Sequence, residues 1–200
     1  MSLFITLDGP GGAGKSTLVA LVAEQLTAAG YPVLATREPS DGPLGQVARQ
    51  QTAAFSGATL ACLVAADRYH HLAAEIHPAL AKGAVVVCDR YVPSSYVLQT
   101  RDGVPLDYIR QLNRLAPRPH LSVLVTAAPA TLEKRLTVRG THNRFEHEGS
   151  SLAEALLYDD LTDVLTEDGF SPWRVDTGEV SPQVAAVTIT DRIRQLSSPR

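Results

Sequence analysis

The run LFITLDGPGGAGKST, Leu3 to Thr17, constrains the fold more than any other stretch. LFITL reads as a buried strand, and the residues from Lys15 to Ala29 read as a helix with Leu18, Leu21, Val22 and Leu26 on one face. Between them, Gly9-Pro10-Gly11-Gly12-Ala13-Gly14-Lys15-Ser16 fits the pattern GxxxxGKS/T. Glycines let the backbone curl so that successive N–H groups converge on an anion. The N-terminus of the following helix adds a favourable dipole. Lys15 supplies a point charge for the outer phosphates, and Ser16 a hydroxyl for Mg²⁺. The ligand implied is ATP or GTP with Mg²⁺. The cofactor-binding residues are Gly9, Gly11, Gly12, Ala13, Gly14, Lys15, Ser16 and Thr17. The plain alternative is a glycine-rich turn that holds nothing.

The rest of the chain repeats the strand–helix alternation. Further strands are expected at Pro32–Thr36, Ala84–Cys88, Leu121–Thr126 and Trp173–Thr177. Helices are expected at Leu44–Phe55, Thr59–Lys82 with a kink at Pro78, Pro93–Gln99, Leu106–Leu115, Ala130–Val138, Leu152–Thr166 and Ser181–Leu196. Gly30 stands where a helix C-cap favours glycine. The polar stretch RGTHNRFEHEGS, Arg139 to Ser150, interrupts the pattern. This order predicts an α/β fold, a five-stranded parallel sheet with helices on both faces, in one domain of 200 residues. Asp89, ending the apolar run AVVVCD, sits at the carboxyl edge of a buried strand, where ligands of such sheets bind. It is the expected second metal ligand beside Ser16; the alternative is a simple turn cap.

A net charge of −3 argues against a dedicated nucleic-acid binder, and no run reaches the ~18–20 apolar residues of a membrane helix. MSLFITLDG has no basic segment of a signal peptide. Cys62 and Cys88 both lie in apolar surroundings, without metal-ligand spacing, and are expected as buried, reduced thiols. The expected location is the cytoplasm. His70, His71, His77, His142 and His147 show no ligand spacing and are expected to be non-catalytic.

Four further stretches line up with the loop: TREP (Thr36–Pro39), AADR (Ala65–Arg68), DRYVPSS (Asp89–Ser95) and RGTHNRFE (Arg139–Glu146). In this order and spacing they resemble bacterial thymidylate kinases over nearly the whole chain. The resemblance implies a nucleoside monophosphate kinase fold of the P-loop NTPase type, with a short mobile LID at about 137–150, and a homodimer. It implies transfer of the γ-phosphate of ATP to dTMP, giving dTDP. Arg37 and Arg90 would grip the acceptor phosphate, Arg68 would read the pyrimidine edge, and Ser94 and Ser95 would line the base pocket. Arg139 and Arg144 would serve catalysis from the LID together with Lys15 and Arg90. No basic residue lies between Pro10 and Ala13, which resembles the subgroup that relies on LID arginines. Asp8 is the carboxylate beside the loop best placed to order the metal shell or the acceptor. Taken singly, each arginine has a blander reading: Arg37 as a partner of Glu38, Arg68, beside Asp67, as a solvated charge or a salt-bridge partner, Arg135 and Arg139 as surface charges.

Three positions depart from the family pattern, all on the acceptor side. Gly11 replaces a common aspartate near the sugar, Val64 a common stacking phenylalanine, and Leu98 a common tyrosine, although Tyr96 lies two residues earlier. A lost aromatic face removes about 1–3 kcal/mol of base stacking. Lost hydrogen-bonding groups weaken the rejection of analogues. These departures keep open a kinase for a different or modified monophosphate, and a nucleotide-binding module without turnover. A kinase of free alcohols would not need Arg37 and Arg90 together.

Overall fold

The structure, a computed structural model, describes residues 2–51, 54–140 and 150–197. Five strands form one sheet in which every pairing is parallel: β1 (Leu3–Asp8), β2 (Val33–Arg37), β3 (Val85–Asp89), β4 (Leu121–Thr126) and β5 (Trp173–Asp176), in the order β2-β3-β1-β4-β5. The expected strands are all present, four of them ending one residue from the expected place. For three of the four that one residue matters, because Asp8, Arg37 and Asp89 become the last residues of their strands. Arg37 and Leu7 are both level with Asp89 in the register.

Period-two alternation splits the core into two layers. Leu3, Ile5, Leu7, Val85, Val87, Val123 and Val125 face helices α1 (Lys15–Ala28) and α10 (Pro182–Ser197). Phe4, Val86, Cys88 and Leu124 face the other layer, built from α3 (Gly57–His71), α5 (Val92–Arg101), α6 (Leu106–Asn113), α8 (Ser150–Asp160) and α9 (Thr162–Glu167). Asp8 is on the same side of β1 as Phe4, so its carboxylate enters the second layer. Helices α2 (Pro43–Gln50), α4 (His77–Ala81) and α7 (Pro129–Arg139) complete the fold. Gly30 adopts φ +86 just past α1, as a C-cap glycine should.

Four expectations need correction. Pro78 does not kink a single long helix; α3 passes through a widened π turn, Leu72–Ile76, into α4. His77 donates to Leu72 O, and this wider turn absorbs the N–H that Pro78 lacks and the bulk of its ring. The stretch from Leu152 to Thr166 is two helices, α8 and α9, parted at Leu161. Thr162 Oγ1 donates back to Tyr158 O at 2.7 Å, a contact that bends helices. Helix α2 stops at Gln50 rather than Phe55, and residues 52 and 53 lie outside the described ones. Cys62 is exposed. Its neighbours Leu60, Ala61, Val64 and Ala65 take the inner face of α3 and turn position 62 outward.

Candidate active site

The phosphate loop leaves β1 with a geometry only glycine allows at two points. A Cβ on Gly9 would lie 2.2 Å from Val125 O, and one on Gly12 would lie 2.6 Å from Leu132 O. Lys15 opens α1, is buried, and donates from Nζ to Pro10 O at 2.8 Å. Burial, with Arg90 nearby, pulls its pKa down from the lysine range to about 7, against the opposing pull of Asp89, Glu154 and Asp8. Phosphate oxygens beside Nζ would restore the proton. ATP binding at pH 8 is therefore expected to take up protons, and affinity to fall as pH rises above about 7, by at most roughly tenfold per unit. Calorimetry at pH 8 in two buffers of different ionisation enthalpy checks this; zero uptake would refute it.

Ser16 Oγ donates to Asp89 Oδ2 at 2.5 Å. Asp89 Oδ1 is buried and has no hydrogen-bond partner among the described residues. Both atoms are hard oxygen donors at the foot of the loop, the chemistry Mg²⁺ prefers. Asp8 has a different first task. Its Oδ1 accepts from Tyr91 N (2.9 Å), Ser94 N (3.0 Å) and Ser94 Oγ (2.6 Å), which caps the start of α5. Its Oδ2 is buried without a partner among the described residues. Burial raises its pKa, against the pull of those bonds and of Arg90.

Two cavities meet at this edge. One, about 440 Å³, is lined by the loop from Gly11 to Thr17 and by Arg135 and Arg139 of α7. The other, about 380 Å³, is lined by Arg37, Arg49, Arg68, Ser94, Ser95 and Glu154 among others. Asp89 and Arg90 line both. Arg90 holds φ +72, uncommon for a residue with a side chain, and donates to Gly9 O and Ser94 Oγ, both at 3.3 Å. Burial works against its charge, but Tyr158, Asp89, Glu154 and Asp8 outweigh that and hold its proton more firmly than usual.

In the second cavity Arg68 is fixed as well as displayed. Only 1% exposed, it donates from Nε to Glu38 Oε2 (2.7 Å), from Nη2 to Ser95 Oγ (2.8 Å) and from Nη1 to Asn113 Oδ1. Its guanidinium also lies 5.3 Å from the centre of the Tyr91 ring. The partner is Glu38, not Asp67. Asp67 instead accepts from Ser40 N and Oγ, both at 2.6 Å, and so holds the loop after β2. Arg37 is exposed and pairs with Asp41 at 2.6 Å rather than with Glu38. Ala48, Leu60, Val64 and Leu98 give the cavity an aliphatic wall. Tyr96 does not replace the missing tyrosine. Its hydroxyl donates to Asp168 at 2.7 Å, and its ring packs on Phe170. Arg144 lies outside the described residues.

Sequence reasoning missed Glu38, Arg49, Arg135 and Glu154. Arg49 donates to Ser40 O and, at 2.8 Å, to Asp41. Arg135 is more than a surface charge: it donates to Thr177 O at 2.7 Å and to Thr177 Oγ1 at 3.0 Å while lining the loop cavity. His71, read only as non-catalytic, is buried between Thr36 Oγ1 (2.8 Å) and Glu38 (3.4 Å). The one signal that was available for Glu154 is its spacing: Glu154 and Tyr158 lie four apart on the inner face of α8.

A phosphate loop on a parallel sheet, joined through a shared arginine and carboxylate to a second arginine-lined cavity, defines a nucleoside monophosphate kinase. The comparisons narrow this. The family model described as thymidylate kinase matches residues 7–156. A probable thymidylate kinase of Pyrobaculum calidifontis is 40% identical over 149 residues, which cover 72% of this chain and 74% of that protein. That of Pyrococcus horikoshii is 39% identical over 151 residues, with the same two shares. The thymidylate kinase of Xanthomonas oryzae is 41% identical over 147 residues, covering 72% of this chain and 65% of that protein. The chain belongs to the thymidylate kinase family.

Proposed function

We propose that the chain acts as one kinase domain that transfers the γ-phosphate of ATP to dTMP, giving dTDP. The observation that carries this is the pair of cavities joined at Asp89 and Arg90. Phosphoryl transfer asks the protein mainly to bring two anionic groups into line and to neutralise them. The loop amides and Lys15 hold the donor. Arg37 and Arg90 hold the acceptor phosphate, and Arg68, with Ser95 beside it, presents donors to the base. Arg139 lines the loop cavity and brings charge to the transferring group, a role that the family resemblance gives Arg144 as well. Ser16 and Asp89 would hold Mg²⁺, which would supply positive charge to the donor phosphates. The aliphatic wall around Val64 packs against the base in place of an aromatic face.

The test is a coupled ATP-consumption assay with Mg²⁺ and a panel of dTMP, dUMP, UMP, dCMP, CMP, 5-hydroxymethyl pyrimidine monophosphates and free nucleosides. The highest kcat/KM is expected for dTMP. A higher value for another monophosphate makes Gly11, Val64 and Leu98 determinants of a different specificity. The family resemblance supports a homodimer, which light scattering on the purified protein checks; the cytoplasm remains the expected location.

A further inference from the structure

A carboxylate is the least expected group between two phosphate sites, yet Glu154 stands there. It is 1% exposed, lines the acceptor cavity, and lies close enough to Lys15 and Arg90 to act on the charge of both. Its Oε2 accepts from the phosphate-loop amide Gly11 N at 2.8 Å. Its Oε1 accepts from Arg101 Nη1 at 2.6 Å. Three elements meet at this one side chain: the loop, the end of α5 through Arg101, and α8 through Glu154 itself.

Each contact has a physical reason. Gly11 has no side chain with which to brace the loop, and a charge-assisted bond to its N–H is stronger than a neutral one. A buried carboxylate needs a cation, because an unpaired one is strongly destabilising. Here it also faces incoming phosphates, so an uncompensated charge would repel the ligands that the loop exists to hold. Arg101 answers both needs and keeps the local balance near neutral. Lys15 and Arg90 are then left for the phosphates.

We infer that Glu154 and Arg101 form a positioning pair: Glu154 sets the phosphate loop at Gly11, and Arg101 cancels the charge that would otherwise repel the nucleotide phosphates. The pair connects the loop to α8, the first described element after the LID segment. Its catalytic consequence rests on the kinase reading, but its effect on donor binding does not.

The experiment measures MgATP affinity by calorimetry, Tm, and kcat with dTMP for Arg101→Met, Glu154→Gln and the double variant. Arg101→Met is expected to weaken MgATP binding at least tenfold, because the buried charge is left facing the loop. Glu154→Gln added to it removes that charge and keeps an oxygen for Gly11 N. The double variant should therefore regain at least fivefold in affinity over Arg101→Met, with kcat following. A pair that only fastened α5 to α8 would show no such rescue, and affinity would track Tm; that result overturns the inference. So does an Arg101→Met protein that binds MgATP like the wild type. Glu154→Gln alone keeps an oxygen for Gly11 N and leaves the Arg101 charge in place, so it should bind MgATP no more weakly than the double variant; weaker binding than the double variant also overturns the inference. If affinities follow the expected pattern while the wild-type protein leaves dTMP untouched, the acceptor assignment falls and the pairing stands.

Discussion

Replacing Arg90 with alanine is expected to lower kcat/KM for dTMP by about 10³-fold or more, the range in which an arginine at a transferring phosphoryl group acts. Arg90 lines both cavities and follows Asp89 at the strand edge, so in the proposed transfer its charge would serve donor and acceptor at once. The variant also loses some stability, because Asp8, Asp89 and Glu154 lie close enough to feel the charge of Arg90. Its bonds to Gly9 O and Ser94 Oγ are long, at 3.3 Å, and Ser94 keeps Asp8 as a partner. Tm should fall, yet turnover assayed well below the new Tm should still collapse. Arg90→Lys retains the charge but not the fork that meets two phosphate oxygens together, and should recover only a small part of the rate. Steady-state kinetics with dTMP and ATP varied separately decide the matter. A loss below tenfold in Arg90→Ala would remove Arg90 from the transfer step.

The second large effect is on stability. Glu38→Ala strands the Arg68 guanidinium in a site where only 1% of it reaches solvent. Breaking one partner of a buried pair costs about 3–5 kcal/mol, because the surviving charge is left desolvated. The bonds from Arg68 to Asn113 and Ser95 and its contact with the Tyr91 ring remain, but none carries negative charge. Glu38→Ala should fall at the upper end of single-residue effects in urea unfolding. The double variant Glu38→Leu/Arg68→Met removes both charges and should be more stable than Glu38→Ala, although it cannot read a base. A Glu38→Ala protein within 1 kcal/mol of wild type would show that the other partners suffice for Arg68.

The contrast between these residues reflects how far each could be read from sequence. The loop is a local pattern: eight consecutive residues specify its curvature, its charge and its place between strand and helix. The strands are local too, because the short apolar runs of β1, β3 and β4 mark strands buried on both faces of a parallel sheet. Asp89 was legible since it ends an apolar strand, and Arg90 since it directly follows, because the edge of a parallel sheet is where ligands gather.

Partner choice was not local. Glu38 meets Arg68 across 30 residues, and Gly11 meets Glu154 across 143. No periodicity carries such information; it exists only once α3 and α8 are laid on the sheet. The same holds for Asp8, whose Oδ1 caps a helix 83 to 86 residues away instead of being spent wholly on metal or acceptor. Arg68 shows the difference most clearly. As part of AADR it reads as a donor aimed at a base, whereas in the folded chain Glu38, Ser95 and Asn113 hold it rigid before any base arrives.

The amino-acid sequence by itself therefore determined the parallel α/β fold, the phosphate loop and the residues at the strand ends, because short-range sterics and burial periodicity dictate them. Only the tertiary structure decided which buried charges neutralise one another around the two phosphates. Electrostatic pairing in a desolvated interior depends on distances of a few ångströms between residues that the chain itself keeps far apart.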